Sequence, residues 1–295
     1  MPIDTAHHRL DRSLRMDGAT CAYSVWEEPG DRERADVILV HGAAANRHWW
    51  SHIVPMISGA RVLAVDLWGH GDSAGRASYT LDDWAAQVTE VARQCCSRRP
   101  YLVGQSVGGL VAVHAAQTNP DAFGAALVLD TELRRTDEAL LLRRRRTAER
   151  PPQIYPSLDS AVAEFVRRHP AAPFVDEDLL VEIGIRSHRR VEGGWQRAFD
   201  PRVFGRPEVS TDFLRTPHIP TMWIRAERGS IDDATAAHIR SKLSPAGVLV
   251  EVADVGHQLN LEQPRACGSL IEAFLDWAPA AQRAELSGSH IGHLN

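Results

Sequence analysis

Short, strongly apolar runs recur along the chain, and amphipathic segments separate them. Val37–Val40 (VILV) is the clearest run, and Ala125–Leu129 is another. Further runs of this kind lie at 61–66, 101–104, 221–225 and 248–252. Such runs are typical of strands buried on both faces of a parallel sheet. The amphipathic segments at 80–98, 233–243 and 265–277, and the small, apolar segment at 107–117, predict helices that cover it. The sequence therefore predicts an α/β fold.

One long stretch interrupts this alternation of strands and helices. Residues 131–217 contain no strong strand signal, but helix-like segments lie near 160–168 and 176–188. We therefore predict a helical insertion at 131–217 in a core formed by 1–130 and 218–278. Residues 279–295 are mostly small and polar, which predicts a flexible C-terminal tail.

Composition restricts the partners and the compartment. The 295 residues carry a formal net charge of -5, which argues against a general nucleic-acid binder. No apolar run reaches the length of about 20 residues that a membrane-spanning helix needs. The four cysteines show no metal-ligand spacing, and an N-terminal signal peptide is not evident. We expect a cytoplasmic monomer or homodimer that acts on a small molecule, with no nucleic-acid or membrane partner.

The segment 104–109 (GQSVGG) lies between a predicted strand and a predicted helix and contains the pattern Gly-x-Ser-x-Gly. At a sharp strand-to-helix turn the flanking glycines avoid Cβ clashes, and the serine is raised above the sheet at a helix N-terminus. Ser106 is therefore the predicted nucleophile. The backbone N–H of Val107 would point toward an oxygen that gains negative charge during the attack.

Two further segments follow the carboxyl ends of predicted strands. After the first run come His41, Gly42 and Ala43, where small residues let the backbone approach a substrate, so Ala43 N–H is the predicted second oxyanion donor. His257 follows the last run on a loop that can reach back toward Ser106. An imidazole with an ordinary pKa of about 6.5 can accept and return a proton near neutral pH, which makes His257 the predicted general base.

Four sequence blocks occur in a fixed order: HG at 41–42, DLWGHGDS at 66–73, GQSVGG at 104–109 and GHQLNLEQP at 256–264. In these blocks the chain resembles the α/β-hydrolase superfamily over residues 37–277. The resemblance implies an α/β-hydrolase fold, a mostly parallel eight-stranded sheet flanked by helices with a helical cap inserted after strand 6. It also implies that Asp66 and Asp72 belong to a structural turn.

The acid that would complete a catalytic triad departs from the usual pattern of this family. Most members carry it after the seventh strand, where this chain reads RAERGS and has Gly229 at the expected position. A minority carry it at the end of the sixth strand, and Asp130 stands there. Asp130 is thus the predicted acid, because any carboxylate within reach of His257 can orient the imidazole. The alternatives left open are Asp232, Asp233, Glu132 and Glu227.

Four consecutive arginines at 143–146 mark the predicted cap. On a helix they point in all directions, so at least one faces the apolar side and needs an anionic partner from the protein or from a substrate. A solvated basic face is the alternative. The chain resembles, more weakly, capped hydrolases that cleave amidomethylene-succinates and hold the dicarboxylate with cap arginines. That resemblance makes Arg146 and Arg167 speculative substrate-binding candidates.

These residues favour a serine hydrolase that cleaves an ester, lactone or amide through an acyl-enzyme at Ser106. Two alternatives use the same residues differently. One is C–C bond hydrolysis or cofactor-free oxygenation with His257 as a base on the substrate, and the other is a non-catalytic homologue that binds a ligand. We expect no metal and no cofactor, because the sequence shows neither a dinucleotide fingerprint nor a phosphate-binding loop.

Overall fold

The computed structural model describes residues 8–27, 35–133, 138–207, 211–216, 218–243 and 247–287. Within these ranges the strands are β1 His8–Met16, β2 Ala19–Glu27, β3 Val37–Val40, β4 Val62–Val65, β5 Tyr101–Gln105, β6 Ala125–Leu129, β7 His188–Val191, β8 Gly194–Arg197, β9 Thr221–Arg228 and β10 Val248–Gly256. The α-helices there are α1 Leu81–Cys95, α2 Val107–Thr118, α3 Glu138–Ala148, α4 Leu158–Arg168, α5 Glu177–Arg186, α6 Asp233–Lys242, α7 Leu259–Glu262 and α8 Pro264–Ser287.

Eight of these strands form one sheet in the order β1-β2-β4-β3-β5-β6-β9-β10. The neighbours in the series β4, β3, β5, β6, β9 and β10 pair in parallel. Strand β2 pairs antiparallel with both β1 and β4. This is the mostly parallel eight-stranded sheet that the resemblance to the α/β-hydrolase superfamily implies. Because the parallel strands point the same way, their carboxyl ends lie along one edge and bring the loops after β3, β5, β6 and β10 together.

The core lies on both faces of the sheet, as the apolar runs require. In β3, Val37 and Leu39 pack into a cluster with α8, while Ile38 and Val40 pack into a second cluster with α1 and α2. Successive strand residues point to opposite faces, so a strand covered on both sides needs apolar residues at every position. The six strands predicted from such runs are all present.

The first two strands of the sheet were not predicted from the apolar runs. In β1 the partly or fully buried Leu10, Leu14 and Met16 lie on one face, and the exposed Asp11, Ser13 and Arg15 lie on the other. A strand at a sheet edge buries one face only, so its pattern is alternation and not a continuous apolar run. β1 therefore lacks the apolar run by which six other strands are predicted.

The chain between β6 and β9 contains the three helices α3, α4 and α5, together with one element that the helical prediction omits. Strands β7 and β8 form an antiparallel hairpin in which His188 pairs with Arg197 and Val191 with Gly194. A turn with Gly193 at a φ of 82° joins them. Glycine adopts such left-handed backbone without the Cβ clash of other residues, so the hairpin fits the Glu-Gly-Gly sequence at 192–194.

The predicted flexible tail is wrong for residues 279–287, because α8 continues to Ser287 with Pro279 inside it. Buried Ala278 and Ala281 pack on the sheet, and Gln282 donates to Gly124 O over 3.0 Å while it accepts from the Tyr101 hydroxyl over 3.0 Å. These contacts offset the hydrogen bond that the proline removes from the helix. The rest of the predicted tail, 288–295, lies outside the described residues.

No α-helix in the described ranges has the length and apolar character needed to cross a bilayer.

Candidate active site

Ser106 occupies the turn between β5 and α2 with a strained backbone, φ 55° and ψ -120°. Such a conformation persists only where the surroundings impose it. A Cβ at Gly104 would collide with the backbone of Gly108, and a Cβ at Gly108 would collide with Val40 O. The glycines of the motif therefore let the turn close against β3, which places the serine at the N-terminus of α2.

His257 reaches Ser106 from the loop after β10. Its Nε2 lies 3.1 Å from Ser106 Oγ. The loop is fixed on both sides of the histidine, because the Glu262 carboxylate accepts from Gly256 N over 2.8 Å and from Gln258 N over 3.2 Å. Gln105, next to the serine, donates to His257 O over 3.0 Å. The two loops are thereby held in register with each other.

Asp130 follows β6 with a φ of 38°, and its side chain is fully buried. Its Oδ2 accepts from His257 Nδ1 over 2.7 Å, from Ser230 N over 2.7 Å and from Ser230 Oγ over 3.0 Å, while Oδ1 accepts from Ala226 N over 3.2 Å. Burial alone would raise the pKa of Asp130, but these hydrogen bonds outweigh burial and hold the pKa below its usual value. The carboxylate is ionised at neutral pH.

The contact with Asp130 also fixes the tautomer of His257. An ionised carboxylate only accepts, so Nδ1 carries the proton and Nε2 is left to accept from the Ser106 hydroxyl. In this arrangement the imidazole can take the serine proton directly, and a carboxylate behind it stabilises the imidazolium that results.

Three of the other candidate acids have different partners, and the fourth, Glu132, lines the cavity beside Ser106. Asp232 caps α6 by accepting from Thr235 N over 2.7 Å, Asp233 pairs with Arg225 over 2.6 Å, and Glu227 accepts from Asp254 N over 2.7 Å. Gly229 stands where most members of the family carry the acid, and it leaves room there for the side chain of Asp130. A Cβ built on Gly229 would collide with the Asp130 carboxylate, so that carboxylate fills the space of a side chain at 229.

The two predicted oxyanion donors lie beside Ser106. Val107 is the first residue of α2, where a backbone N–H has no partner within its own helix. Ala43 lies in a turn closed by the hydrogen bond from Ala45 N to Gly42 O, 3.3 Å. Both line the same cavity as Ser106. Two backbone donors beside a nucleophile are the elements of an oxyanion hole.

Buried His41 stabilises the turn at 42–45 that carries Ala43, which we call the oxyanion turn. Burial and the neighbouring His70 lower the pKa of His41 well below its usual value, so the ring is neutral. Its Nε2 accepts from Leu67 N over 3.1 Å, and Nδ1 then donates to Gly42 O over 2.8 Å. The His-Gly pair thus links the ends of β3 and β4.

A cavity of about 480 Å³ opens between Ser106 and the inserted segment. Its apolar wall includes Leu110 of α2, Leu140 of α3 and Phe204, and its polar lining includes Arg143, Arg144, Thr147, Glu132 and Arg206. Leu140, Arg143, Arg144 and Thr147 are spaced three or four residues apart, so they form one face of α3. That face of the helix covers the cavity.

The structure does not bring the two proposed cap arginines to this cavity. Arg146 is exposed on α3 and does not line the cavity. Arg167 hydrogen-bonds Glu164 over 2.7 Å within α4 and is 64% exposed. Neither belongs to the described lining, in which Arg143 and Arg144 take their place.

Several residues that hold the site were not predicted from the sequence, namely Gln105, Ser230 and Glu262. Gln105 and Ser230 stand next to Ser106 and Gly229, so their positions in the motifs were the only signal. Across the described ranges, no three His, Cys, Asp or Glu residues cluster in a way that could hold a metal ion. The four cysteines are free thiols.

Comparisons with known proteins identify the family. The model of the alpha/beta hydrolase family matches residues 37–268. An esterase of Mycobacterium tuberculosis is 29% identical over 257 residues, which cover 81% of this chain and 82% of the esterase. A lipase of the same organism, LipV, is 25% identical over 255 residues, 82% of this chain and 93% of the lipase.

Among solved structures, E-2-(acetamidomethylene)succinate hydrolase superposes with a TM-score of 0.78 at 20% identity, over 91% of this chain and 100% of that one. At this identity the likeness shows the fold alone. The family match covers most of the chain, and its relatives include esterases of similar length. The chain therefore belongs to the alpha/beta hydrolase family and is a hydrolase.

Proposed function

We propose that the chain hydrolyses a carboxylic ester, lactone or amide of a small molecule through an acyl-enzyme at Ser106. The observation that carries the proposal is the unbroken line of contacts from Ser106 Oγ to His257 Nε2 and from His257 Nδ1 to Asp130 Oδ2, at 3.1 and 2.7 Å. A serine hydroxyl is a weak nucleophile, and a neighbouring base with an oriented imidazole is what activates it.

In the proposed reaction, His257 Nε2 takes the Ser106 proton as Oγ attacks the carbonyl carbon. The backbone N–H groups of Ala43 and Val107 donate to the oxyanion of the tetrahedral intermediate. The imidazolium then returns its proton to the leaving oxygen or nitrogen, the bond to the leaving group breaks, and the acyl group stays on Ser106. A water activated by His257 releases the acid and regenerates the serine. Asp130 stays ionised throughout.

For the substrate, we propose an acyl group with an apolar segment and a negatively charged end. The lining of the cavity supports this substrate class. Leu110, Leu140 and Phe204 form an apolar wall, and Arg143 and Arg144 of α3 lie beside it. An arginine beside an apolar wall recognises a carboxylate by charge-assisted hydrogen bonds while the wall contacts methylene groups.

The role of Asp130 is tested with a chromogenic ester and the variants Asp130→Asn and Asp233→Asn. An asparagine keeps the shape of the acid but not its charge, and in a triad such a change lowers kcat by about 10⁴-fold. We expect that loss for Asp130→Asn and near wild-type activity for Asp233→Asn, whose partner is Arg225. The reverse pattern would identify Asp233 of α6, and not Asp130, as the acid of the triad.

Substrate charge is tested with matched esters that differ only in a terminal carboxylate. We expect Arg143→Gln to lower kcat/KM for the carboxylated ester by about tenfold, the usual value of one charge-assisted hydrogen bond, and to leave the neutral ester unchanged. Arg146→Gln, a change on the same helix at a residue that does not line the cavity, is the control. Equal effects of the two variants would contradict the proposed substrate class.

A further inference from the structure

The segment that follows the oxyanion turn is tied to the cap by side-chain hydrogen bonds. They run from Arg197 Nη2 to Ala44 O at 3.0 Å, from Asn46 Nδ2 to Arg186 O at 2.9 Å, and from Trp49 Nε1 to Ser187 Oγ at 2.9 Å. The cap partners lie at the end of α5 and in the β7–β8 hairpin. The cap therefore contacts the backbone that carries Ala43 as well as roofing the cavity.

Arg197 is the unusual member of this set. Its guanidinium lies between the faces of Phe165 and Phe199, with distances of 4.9 and 5.4 Å from the guanidinium carbon to the ring centroids. Its Nε is buried and has no hydrogen-bond partner among the described residues. Burial lowers the pKa of Arg197 to about 10, so the side chain remains a cation at neutral pH. A half-buried cation held by rings and one carbonyl contributes little to stability, because its desolvation is costly.

The backbone that follows Arg197 is anchored, so the side chain starts from a fixed point. Ala198 N donates to Ser187 O over 2.8 Å within the cap. Gly71 N donates to Ala198 O over 2.7 Å, and Asp200 N donates to Gly69 O over 2.7 Å, which joins the hairpin to the loop after β4. The guanidinium is thus carried to the oxyanion turn by a rigid connection between the cap and the core.

The carbonyl that Arg197 contacts belongs to a strained residue. Ala44 has a φ of 59°, in the left-handed region that disfavours any residue with a Cβ. It occupies the third position of the turn from Gly42 to Ala45, where a type II turn needs a positive φ. If the backbone of Ala44 left this conformation, the turn from Gly42 to Ala45 would have to change shape, and the peptide unit between Gly42 and Ala43, which carries the Ala43 N–H, would shift with it.

We propose that Arg197 is a positioning residue, which holds Ala44 in its left-handed conformation and so keeps Ala43 N–H directed at the oxyanion formed at Ser106. The inference rests on the proposed function, since it assigns how the cap completes the site for that reaction. It predicts that the cap affects turnover through the oxyanion turn, in addition to any contact with the substrate.

The test uses a short neutral ester, with kcat and KM measured separately for Arg197→Gln and Arg197→Lys. Complete loss of one oxyanion donor lowers kcat by about 10² to 10³-fold, so misplacement of the donor is expected to lower it by about 10 to 100-fold. KM is expected to stay nearly constant, because the contact acts on the transition state. Arg197→Lys should retain part of the activity. Arg190→Gln, exposed in the neighbouring strand β7, is the matched control and should equal wild type.

Rescue separates positioning from damage to the fold. In Arg197→Ala the deleted side chain leaves a space beside Phe165, and added guanidinium ions at low concentration are expected to restore kcat at least several-fold. No rescue in a variant that unfolds at the wild-type temperature would overturn the proposal, and so would a wild-type kcat in Arg197→Gln. A Ser106→Ala variant that still turned over the ester would instead contradict the proposed function itself.

Discussion

Moving the proposed triad acid from residue 130 to residue 229 is the perturbation that best tests how this site is built. A Cβ at Gly229 would collide with the Asp130 carboxylate, so side chains at the two positions project into one space beside Ser230 N and His257. The φ of Asp130, 38°, suits glycine, whereas Gly229 is not in the left-handed region. The double variant Asp130→Gly/Gly229→Asp should therefore fold with a carboxylate near His257.

The magnitudes follow from the contacts. Asp130→Gly removes the acceptor of His257 Nδ1 and is expected to lower kcat by about 10⁴-fold, equivalent to about 5.4 kcal/mol of transition-state stabilisation. Gly229→Asp alone places two carboxylates in one buried space, and we expect both lower activity and a loss of several kcal/mol in the free energy of unfolding. In the double variant the two defects compensate, and kcat should exceed that of Asp130→Gly by at least tenfold.

The assay is ester hydrolysis at saturating substrate, with urea unfolding of each variant as a check on folding. Because the residues share one space, their effects should be strongly non-additive, and the double-mutant cycle measures that coupling. A double variant that folds but is no more active than Asp130→Gly would show that a carboxylate at 229 cannot replace the carboxylate of Asp130.

Two further predictions concern stability. Arg47 contacts the fully buried Asp66 and also Asp72, the latter over 2.7 Å. Arg47→Met leaves the buried Asp66 carboxylate without its cationic partner, so it should lower the free energy of unfolding by about 3–5 kcal/mol in urea titrations. A change below about 1 kcal/mol would contradict this expectation. Burial lowers the pKa of both His70 and His169 to about 4, below their unfolded value of about 6.5, so the unfolded chain binds more protons in acid. Stability should be full above about pH 6.5 and should fall by about 1.4 kcal/mol per pH unit for each histidine down to about pH 4, and equal unfolding midpoints at pH 7 and pH 5 would show that these rings are not buried neutral.

The parts of the fold that could be predicted from the sequence are those whose residues face apolar surroundings on all sides. Strands such as Val37–Val40 pack on both faces, so their sequence carries the signal by itself. The Ser106 turn was predictable because its backbone needs glycines at 104 and 108. Asp130 could be predicted as the acid because the position at which most family members carry the acid is a glycine, Gly229, in this chain.

The remaining elements depend on contacts that are distant in sequence. The end of α8 is helical because Gln282 meets Gly124 and Tyr101, which the local sequence around Pro279 does not reveal. Four consecutive arginines show that one must face inward but not which one, because the rotation of α3 is set by its packing on the segment at 201–207. The role proposed for Arg197 depends likewise on a cap hairpin that meets the oxyanion turn only in the folded chain.

The most direct test of an acyl-enzyme at Ser106 is labelling with a fluorophosphonate, followed by peptide mass spectrometry to find the modified residue. We expect one adduct per chain on Ser106, no labelling of Ser106→Ala, and labelling slowed by orders of magnitude in His257→Ala and Asp130→Asn. A folded wild-type chain that does not react, or an adduct on another residue, would contradict an acyl-enzyme at Ser106 and would favour oxygenation or a non-catalytic role.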